Sequence, residues 1–150
     1  MMAKKKTEAA GFVTAGPGLL VTTAASKWQK AVTDVLQKLE LTYVQYSLLY
    51  GVAALQGDTP VSQVEVAAYC AMDVMLTSKH LRALEKKGLI LRRRHPTDTR
   101  ARALEMTPNG VVVLGRASRS VAKVDKKLFG EGASVERLRS TLLQVVNWNE

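Results

Sequence analysis

Residues 62–108 read SQVEVAAYCAMDVMLTSKHLRALEKKGLILRRRHPTDTRARALEMTP, and this stretch decides the fold. Ser62 and Glu65 have the spacing of a capping box, in which each side chain accepts a hydrogen bond from the other residue's backbone at the start of a helix. Asp73 can cap a second helix a few residues further on, and Gly88 can end it. Two short helices joined by a short turn are typical of a helix-turn-helix.

A β-hairpin is predicted directly after these helices. Residues 89–94 and 102–107 are strand-like runs, and the stretch HPTDT between them, at residues 95–99, has the composition of a turn. A helix-turn-helix followed by a hairpin is a winged helix. The predicted fold class is therefore mainly α with a small β-hairpin wing, and further helices flank this winged helix-turn-helix on both sides.

Two helices precede the helix-turn-helix. Pro17 suits the first turn of a helix, because its missing N–H has no intrahelical partner there, and apolar residues recur at helical spacing as far as Leu39. Thr42 and Gln45 form another capping box. The helix that they open is apolar nearly all round as far as Leu55, which is typical of a helix buried at the centre of a small domain.

Two more helices follow the hairpin. Thr107 is expected to cap the first, with Pro108 at its first position, and Ser134 is expected to cap the second. Both carry apolar residues at alternating three- and four-residue steps, a seam pattern of helix packing. A compact winged helix has no obvious place for these stripes or for that of the first helix. The seams pack either within one subunit or, more economically, against a second copy of the chain.

The charge of the chain is concentrated in the same region. The 150 residues carry a net charge of +9, and residues 73–102 hold nine lysines and arginines against three acidic residues, which is +6 of that excess. Such a basic cluster usually binds a polyanion. Aromatic residues make up only 5% of the chain and none lies in the basic segment. This composition disfavours RNA binding by base stacking.

Other classes of protein are excluded or lack support. The single cysteine, Cys70, excludes an internal disulfide framework and a multi-cysteine zinc site. No apolar run approaches the ~20 residues of a membrane-spanning helix. The sequence has no nucleophile–base motif, phosphate-binding glycine loop or metal-ligand spacing. We expect a cytoplasmic protein that is not an enzyme, uses no metal or cofactor and does not act at a membrane.

Four motifs, taken in order, resemble those of one known family. Residues 41–49, LTYVQYSLL, resemble its LTxxQxxLL helix opening, and residues 84–90, LEKKGLI, resemble the end of its recognition helix. Residues 98–100, DTR, fit its DxR wing signature, and residues 104–110, LEMTPNG, fit its LTxxG exit from the wing. Together they resemble the multiple-antibiotic-resistance regulator (MarR) family of winged-helix transcription factors.

The resemblance implies a homodimer whose terminal helices intertwine and whose two winged helices bind a pseudo-palindromic operator in double-stranded DNA. We divide the chain accordingly into a flexible tail at residues 1–16 and a single domain at 17–150. Within that domain, dimerisation helices at 17–40 and 108–148 flank a DNA-binding lobe at 41–107. The resemblance also implies that a small-molecule effector or an oxidant often controls DNA affinity.

The recognition helix is expected to enter the major groove of DNA. Its inward stripe is Val74, Thr77, Leu81 and Leu84, and its outward stripe includes Met75, Ser78, Lys79 and Arg82. Arg82 can hold a guanine through two hydrogen bonds, whereas Lys79 acts more as a point charge. Ser78 can donate to a phosphate or a base edge. Met75 departs from the small polar residues of the family and suits either contact with a thymine methyl group or a different packing of the helix start.

Contacts with the DNA backbone are expected from two further places. Ser62 and Gln63 begin the helix before the recognition helix, where backbone N–H groups can meet a phosphate. Arg92, Arg93 and Arg94 alternate faces along a strand, so either the first and third or the middle one alone can approach the backbone. We retain Arg93 and Arg94 as the candidates.

Arg100 at the tip of the wing is the candidate for insertion into the minor groove, where a narrow groove concentrates negative potential. By resemblance, Asp98 holds Arg100 through a salt bridge and does not touch DNA. A surface ion pair without consequence is the alternative for these two residues.

Ligand-sensing residues are the least defined. Four aromatic residues could line a crevice between the dimerisation helices and the DNA-binding lobe, although core packing explains each of them as well: Trp28, Tyr43, Tyr46 and Tyr50. Cys70 could sense an oxidant, as in some members of the family, but a buried small hydrophobe is the simpler interpretation because no basic neighbour lowers its pKa.

The leading hypothesis is a sequence-specific transcriptional regulator, most simply a dimeric repressor that a small ligand can release from its operator. The alternative is an architectural or protein-docking winged helix without a switch. That alternative predicts weak discrimination among DNA sequences and no effect of small molecules.

Overall fold

The computed structural model of the chain describes residues 16–57, 60–94 and 102–148. Six α-helices and three β-strands lie in these ranges. In chain order they are α1 (Pro17–Gln37), α2 (Tyr43–Leu55), β1 (Val61–Ser62), α3 (Gln63–Tyr69), α4 (Val74–Lys86), β2 (Ile90–Arg94), β3 (Arg102–Met106), α5 (Pro108–Phe129) and α6 (Ala133–Val146). The predicted fold class, mainly α with a β-wing after a helix-turn-helix, is confirmed.

The wing is a three-stranded antiparallel sheet and not the predicted two-stranded hairpin. β3 lies in the middle, with Ile90 of β2 opposite Met106 and Val61 of β1 opposite Leu104. The side chains of Val61 and Leu104 are buried, so one face of the sheet packs towards the helices. Periodicity does not reveal β1, because a strand of two residues has no recognisable alternation.

The predicted capping residues start most of the helices. The hydroxyl of Thr42 accepts the N–H of Gln45 at 3.1 Å, and the Gln45 side chain accepts the N–H of Thr42 at 3.3 Å. Ser62 and Glu65 form the corresponding pair of hydrogen bonds at 3.2 and 2.7 Å. Thr107 accepts the N–H of Gly110 at 2.9 Å and so caps α5. These local signals therefore predict the starts of α2, α3 and α5 correctly.

The predicted cap at Ser134 is wrong. α6 begins at Ala133, and its N-cap is Gly132, which makes no side-chain hydrogen bond. Gly130 and Gly132 both have positive φ angles, of 80° and 86°, which glycine adopts at little cost. Because the helix starts two residues earlier than predicted, Ser134 falls within its first turn.

The core forms around α2, whose Leu48, Leu49 and Val52 are fully buried. The second half of α1 adds Val32 and Leu36 to the same core. The middle of α5 packs on both α1 and α2, and it buries Ala117, Val121 and Val124. The expectation that the flanking helices have no place in the core is therefore wrong for α1 and α5.

α6 differs from the other helices of the described chain because none of its residues is buried. Large apolar side chains remain exposed on α6, just beyond it and on the first turns of α1: Leu19, Leu20, Val21, Leu138, Leu142, Leu143, Val145, Val146 and Trp148. Within the described ranges, no helix combines the length and apolarity that crossing a bilayer demands. The subunit thus presents an extended apolar surface at the end that is formed by its terminal helices.

Candidate nucleic-acid interface

One face of α4 packs into the core, and the opposite face is exposed to solvent. Oδ1 of Asp73 accepts the N–H groups of both Met75 and Leu76 at 2.9 Å, which fixes the start of the helix. Three inward residues one helical turn apart are buried: Thr77, Leu81 and Leu84. Val74 was expected to join them but is 42% exposed, because it lies in the first turn, before the helix reaches the core.

The outward stripe of α4 lies at the surface as predicted. Met75 is 82% exposed, Lys79 and Arg82 are exposed, and Ser78 is partly buried. A shallow depression of about 350 Å³ separates this stripe from the start of α3, and Gln63 lies on its other side. We call Gln63, Met75, Ser78, Lys79 and Arg82 the recognition surface. Five of the predicted DNA-contacting residues therefore lie together on one side of the molecule.

The start of α3 is more occupied than its sequence suggests. The N–H groups of Ser62 and Glu65 both donate within the capping box. The side-chain oxygen of Gln63 accepts a hydrogen bond from Arg92 at 3.2 Å. A phosphate that approached the N–H of Ser62 would compete with the carboxylate of Glu65. Gln63, which lines the depression beside α4, is therefore the better placed of the two predicted residues.

The three consecutive arginines of β2 have different environments. The side chain of Arg92 is only 12% exposed, whereas that of Arg93 is 68% exposed and lies 3.5 Å from the carboxylate of Glu105. Arg94, at the end of the strand, is also exposed. Burial lowers the pKa of Arg92, the carboxylate of Glu85 opposes this shift, and the cations Arg82 and Arg102 add to it. Arg93 and Arg94 thus remain available at the surface of the wing.

The tip of the wing lies outside the described residues. Asp98 and Arg100, the predicted ion pair and minor-groove residue, both fall in residues 95–101, as does His95. Most of the predicted tail, residues 1–15, is also outside the described ranges.

The four aromatic candidates for ligand binding are mostly packed against each other. The rings of Trp28 and Tyr43 meet edge to face with their centroids 5.8 Å apart, and those of Tyr46 and Tyr50 are 6.4 Å apart. Tyr46 is buried; burial raises the pKa of its hydroxyl, and a hydrogen bond with Ser118 partly opposes this. Tyr50 is about half exposed. This packing accords with a core role for Tyr43 and Tyr46.

Trp28 also lines an apolar groove of about 710 Å³ between α1, α5 and α6. Its indole N–H donates to the carboxylate of Asp125 at 2.5 Å. Phe129 and Leu142 contribute to the walls of this groove, and none of the three tyrosines does. Sequence reasoning missed Asp125. The available signal was its position four residues after Val121 of the apolar seam, because a carboxylate close to a packing face needs a polar partner.

Cys70 lies at the end of α3 and packs against α2. Its thiol donates to the carbonyl oxygen of Ser47 at 3.4 Å, and its sulfur would lie 2.9 Å from a Cβ atom added at Gly51. Burial raises the pKa of the Cys70 thiol. The raised pKa disfavours the reactive thiolate and supports the interpretation of Cys70 as a small packed residue.

The anchored α4, with an exposed polar stripe beside a basic β-wing, defines the winged-helix class of transcriptional regulators. Comparison with known proteins gives the family. Residues 41–101 match the model described as the MarR family. An uncharacterized HTH-type transcriptional regulator of Bacillus subtilis (strain 168), YdcH, is 34% identical over 134 residues, which cover 87% of this chain and 89% of that protein. The chain belongs to the MarR family, and it is a transcriptional regulator and not an enzyme.

Solved structures share the fold. CouR from Rhodococcus jostii RHA1, bound to p-coumaroyl-CoA, superimposes with a TM-score of 0.78 at 23% identity, covering 91% of this chain and 96% of CouR. A cysteine-to-serine mutant of MarR from E. coli, complexed with operator DNA, has a TM-score of 0.73 at 21% identity and covers 85% and 91% of the two chains. The family resemblance deduced from the four sequence motifs is confirmed.

Proposed function

We propose that the protein is a cytoplasmic homodimeric repressor that binds a pseudo-palindromic operator in double-stranded DNA and is released by a small organic effector. The observation that carries the proposal is the recognition surface. α4 fixes its buried face in the core and turns Met75, Ser78, Lys79 and Arg82 outward at helical spacing. Rigid support of this kind is what a helix needs to read base edges in the major groove.

The outward residues have complementary chemistry for base reading. Arg82 binds the O6 and N7 acceptors of a guanine, and Lys79 pairs with phosphate or with a guanine acceptor. Met75, the most exposed of them, contacts the methyl group of a thymine. Gln63 on the far side of the depression contacts the phosphate backbone, which sets the register of the helix in the groove. Arg93 and Arg94 add backbone contacts, and Arg100, held by Asp98, enters the adjacent minor groove.

A second copy of the chain covers the part of the apolar surface of the terminal helices that lies outside the groove, which includes Leu19, Leu20, Val145 and Trp148. Contiguous apolar surface of this extent is unusual on a protein that functions as a monomer. Burying one large apolar side chain stabilises an assembly by about 1.5–3 kcal/mol before the cost of association, and many such side chains lie on α6 and the start of α1. An interface of that kind pairs two recognition helices at a fixed separation.

The effector proposal rests on the apolar groove and on one relative. The volume of about 710 Å³ is in the range of pockets that bind small organic molecules. CouR, which has the same fold, was crystallised with an acyl-CoA. An effector bound between α1, α5 and α6 acts if it favours one separation of the recognition helices over another.

The test is binding to the promoter region beside the protein's own gene, against random duplex, across a series of salt concentrations. A repressor retains a preference of at least ~10³ for its operator at physiological salt, because base contacts survive when backbone attraction is screened. Loss of the preference with rising salt would contradict the proposal and favour an architectural role.

A further inference from the structure

Arg92 is a cation placed where the wing faces the helices. In the sheet, Arg92 lies opposite Leu104, which in turn lies opposite Val61. Residues opposite each other in antiparallel strands share a face, and both Val61 and Leu104 are buried. Arg92 therefore extends the buried face of the sheet, which explains why its side chain is only 12% exposed in a run of three arginines.

The guanidinium of Arg92 joins three elements. Nη2 donates to Oε1 of Gln63, the first residue of α3, at 3.2 Å. Nη1 lies 3.8 Å from Oε2 of Glu85, in the last turn of α4. One side chain of the wing thus contacts both helices of the helix-turn-helix, and it lies close enough to Arg82 of the recognition surface for the two charges to interact.

Stability alone does not account for a charge in this place. A cation taken out of water requires good partners, and an apolar residue of similar volume often stabilises a fold at least as well. Nε of Arg92 is buried without a hydrogen-bond partner among the residues that the structure describes. The ion pair with Glu85 is long, and the carboxylate is 42% exposed. Burying this charge costs free energy, but its two contacts link β2 to both α3 and α4.

We propose that Arg92 is a positioning residue for DNA recognition: it holds the wing at a fixed angle to α4, so that wing and recognition helix engage neighbouring grooves together. This inference rests on the proposed function. It differs from a DNA contact because Arg92 acts through Gln63 and Glu85. Removing Glu85 then weakens DNA binding, although the loss of an acidic group near DNA would strengthen it by electrostatics alone.

The experiment compares Glu85→Gln with Glu105→Gln, by fluorescence anisotropy on operator and on random duplex. Both substitutions raise the net charge by one, and both remove the carboxylate partner of a wing arginine. Glu105 pairs with Arg93 inside the sheet, so its loss leaves the angle to α4 unchanged. We expect Glu85→Gln to weaken operator binding about threefold or more without changing the salt slope, and Glu105→Gln to leave binding unchanged or tighter.

A second pair of variants tests Arg92 itself. Arg92→Met and Arg93→Met remove the same charge from opposite faces of β2. We expect Arg92→Met to weaken operator binding at least tenfold with an unfolding temperature equal to or above that of the wild type. Glu85→Gln added to Arg92→Met does not weaken binding further, because the contact between Arg92 and Glu85 is already lost. Arg93→Met lowers the salt slope by about one phosphate contact.

The outcomes separate this inference from the proposed function. Tighter binding by Glu85→Gln, or independent effects of the Arg92 and Glu85 substitutions, would overturn the positioning role. We expect Glu85→Gln to lower the affinity for random duplex as well as the affinity for operator. A wild-type protein without operator preference therefore overturns the proposed function, while the random-duplex arm still decides the role of Arg92.

Discussion

Nζ of Lys87 lies 3.0 Å from Oε1 of the buried Gln45. It also donates a hydrogen bond to the carbonyl oxygen of Glu40. Gln45 belongs to the capping box of α2, and Glu40 turns the chain between α1 and α2 with a positive φ of 56°. Lys87 is the C-cap of α4. The end of the recognition helix is therefore hydrogen-bonded to the turn between α1 and α2 and to the start of α2.

Replacing Lys87 by alanine is expected to lower the free energy of unfolding by about 1 kcal/mol, because two hydrogen bonds from a charged donor are lost. Operator affinity should fall while the salt slope stays the same, since the ammonium is turned towards Gln45 and away from DNA. The neighbouring Lys86 is exposed and serves as the matched control, because Lys86→Ala removes the same charge but neither of the two hydrogen bonds of Lys87. Equal effects of the two substitutions on unfolding by urea would contradict this role of Lys87.

Two glycines of α5 are expected to respond to alanine with opposite signs. A Cβ atom at Gly110 would lie 2.0 Å from the carbonyl oxygen of Leu89, whereas at Gly115 its nearest neighbour is a flexible Arg119 nitrogen at 3.9 Å. Gly110→Ala should destabilise the fold by about 3 kcal/mol, because backbone has to move. Gly115→Ala should stabilise it by about 0.5–1 kcal/mol through helix propensity. Thermal unfolding of both variants checks this, and a destabilised Gly115→Ala would contradict it.

Local signals predicted much of this fold. The capping boxes at Thr42 and Ser62 and the cap at Asp73 involve residues only two or three apart, so the sequence contains both partners. The start of α6 was mispredicted because the φ angles of Gly130 and Gly132 decide it, and composition does not reveal them.

Contacts between residues that are far apart in the chain could not be predicted from the sequence. Strand alternation put Arg92 and Arg93 on opposite faces, but the packing of the sheet on α3 and α4 was needed to show that Arg92 is the buried one. Lys87 and Gln45 are 42 positions apart. A basic run predicts an anionic partner, yet it does not show which of its cations face inward.

Arg82 is the residue of the recognition surface with the largest expected share of base discrimination. Arg82→Ala should weaken operator binding by about 1–3 kcal/mol, or roughly 5- to 150-fold, because a bidentate contact to guanine is lost. Binding to random duplex should change much less. Arg116→Ala, an equal loss of charge at an exposed position of α5, is the control. If both variants lose the same affinity on both duplexes, Arg82 contributes only charge.

Cys70 is expected to react slowly. Burial raises its pKa, so near pH 7–8 the thiolate fraction is below that of an unperturbed cysteine, whose pKa is about 8.5. Alkylation by iodoacetamide, followed by mass spectrometry, should be slower in the native protein than in urea, with Cys70→Ala as the blank. Because the folded state holds the neutral thiol, its contribution to stability is complete below about pH 8.5 and is lost as the pH rises towards the folded pKa. Native alkylation as fast as in urea would instead support a sensing cysteine.

Hydroxyl-radical footprinting of the operator, combined with the number of chains bound per duplex, tests the central claim most directly. Two recognition helices carried by one dimer should protect two tracts whose centres are about 10 base pairs apart, with two chains on each duplex. A single protected tract occupied by one chain would contradict the account, as would uniform protection along the DNA.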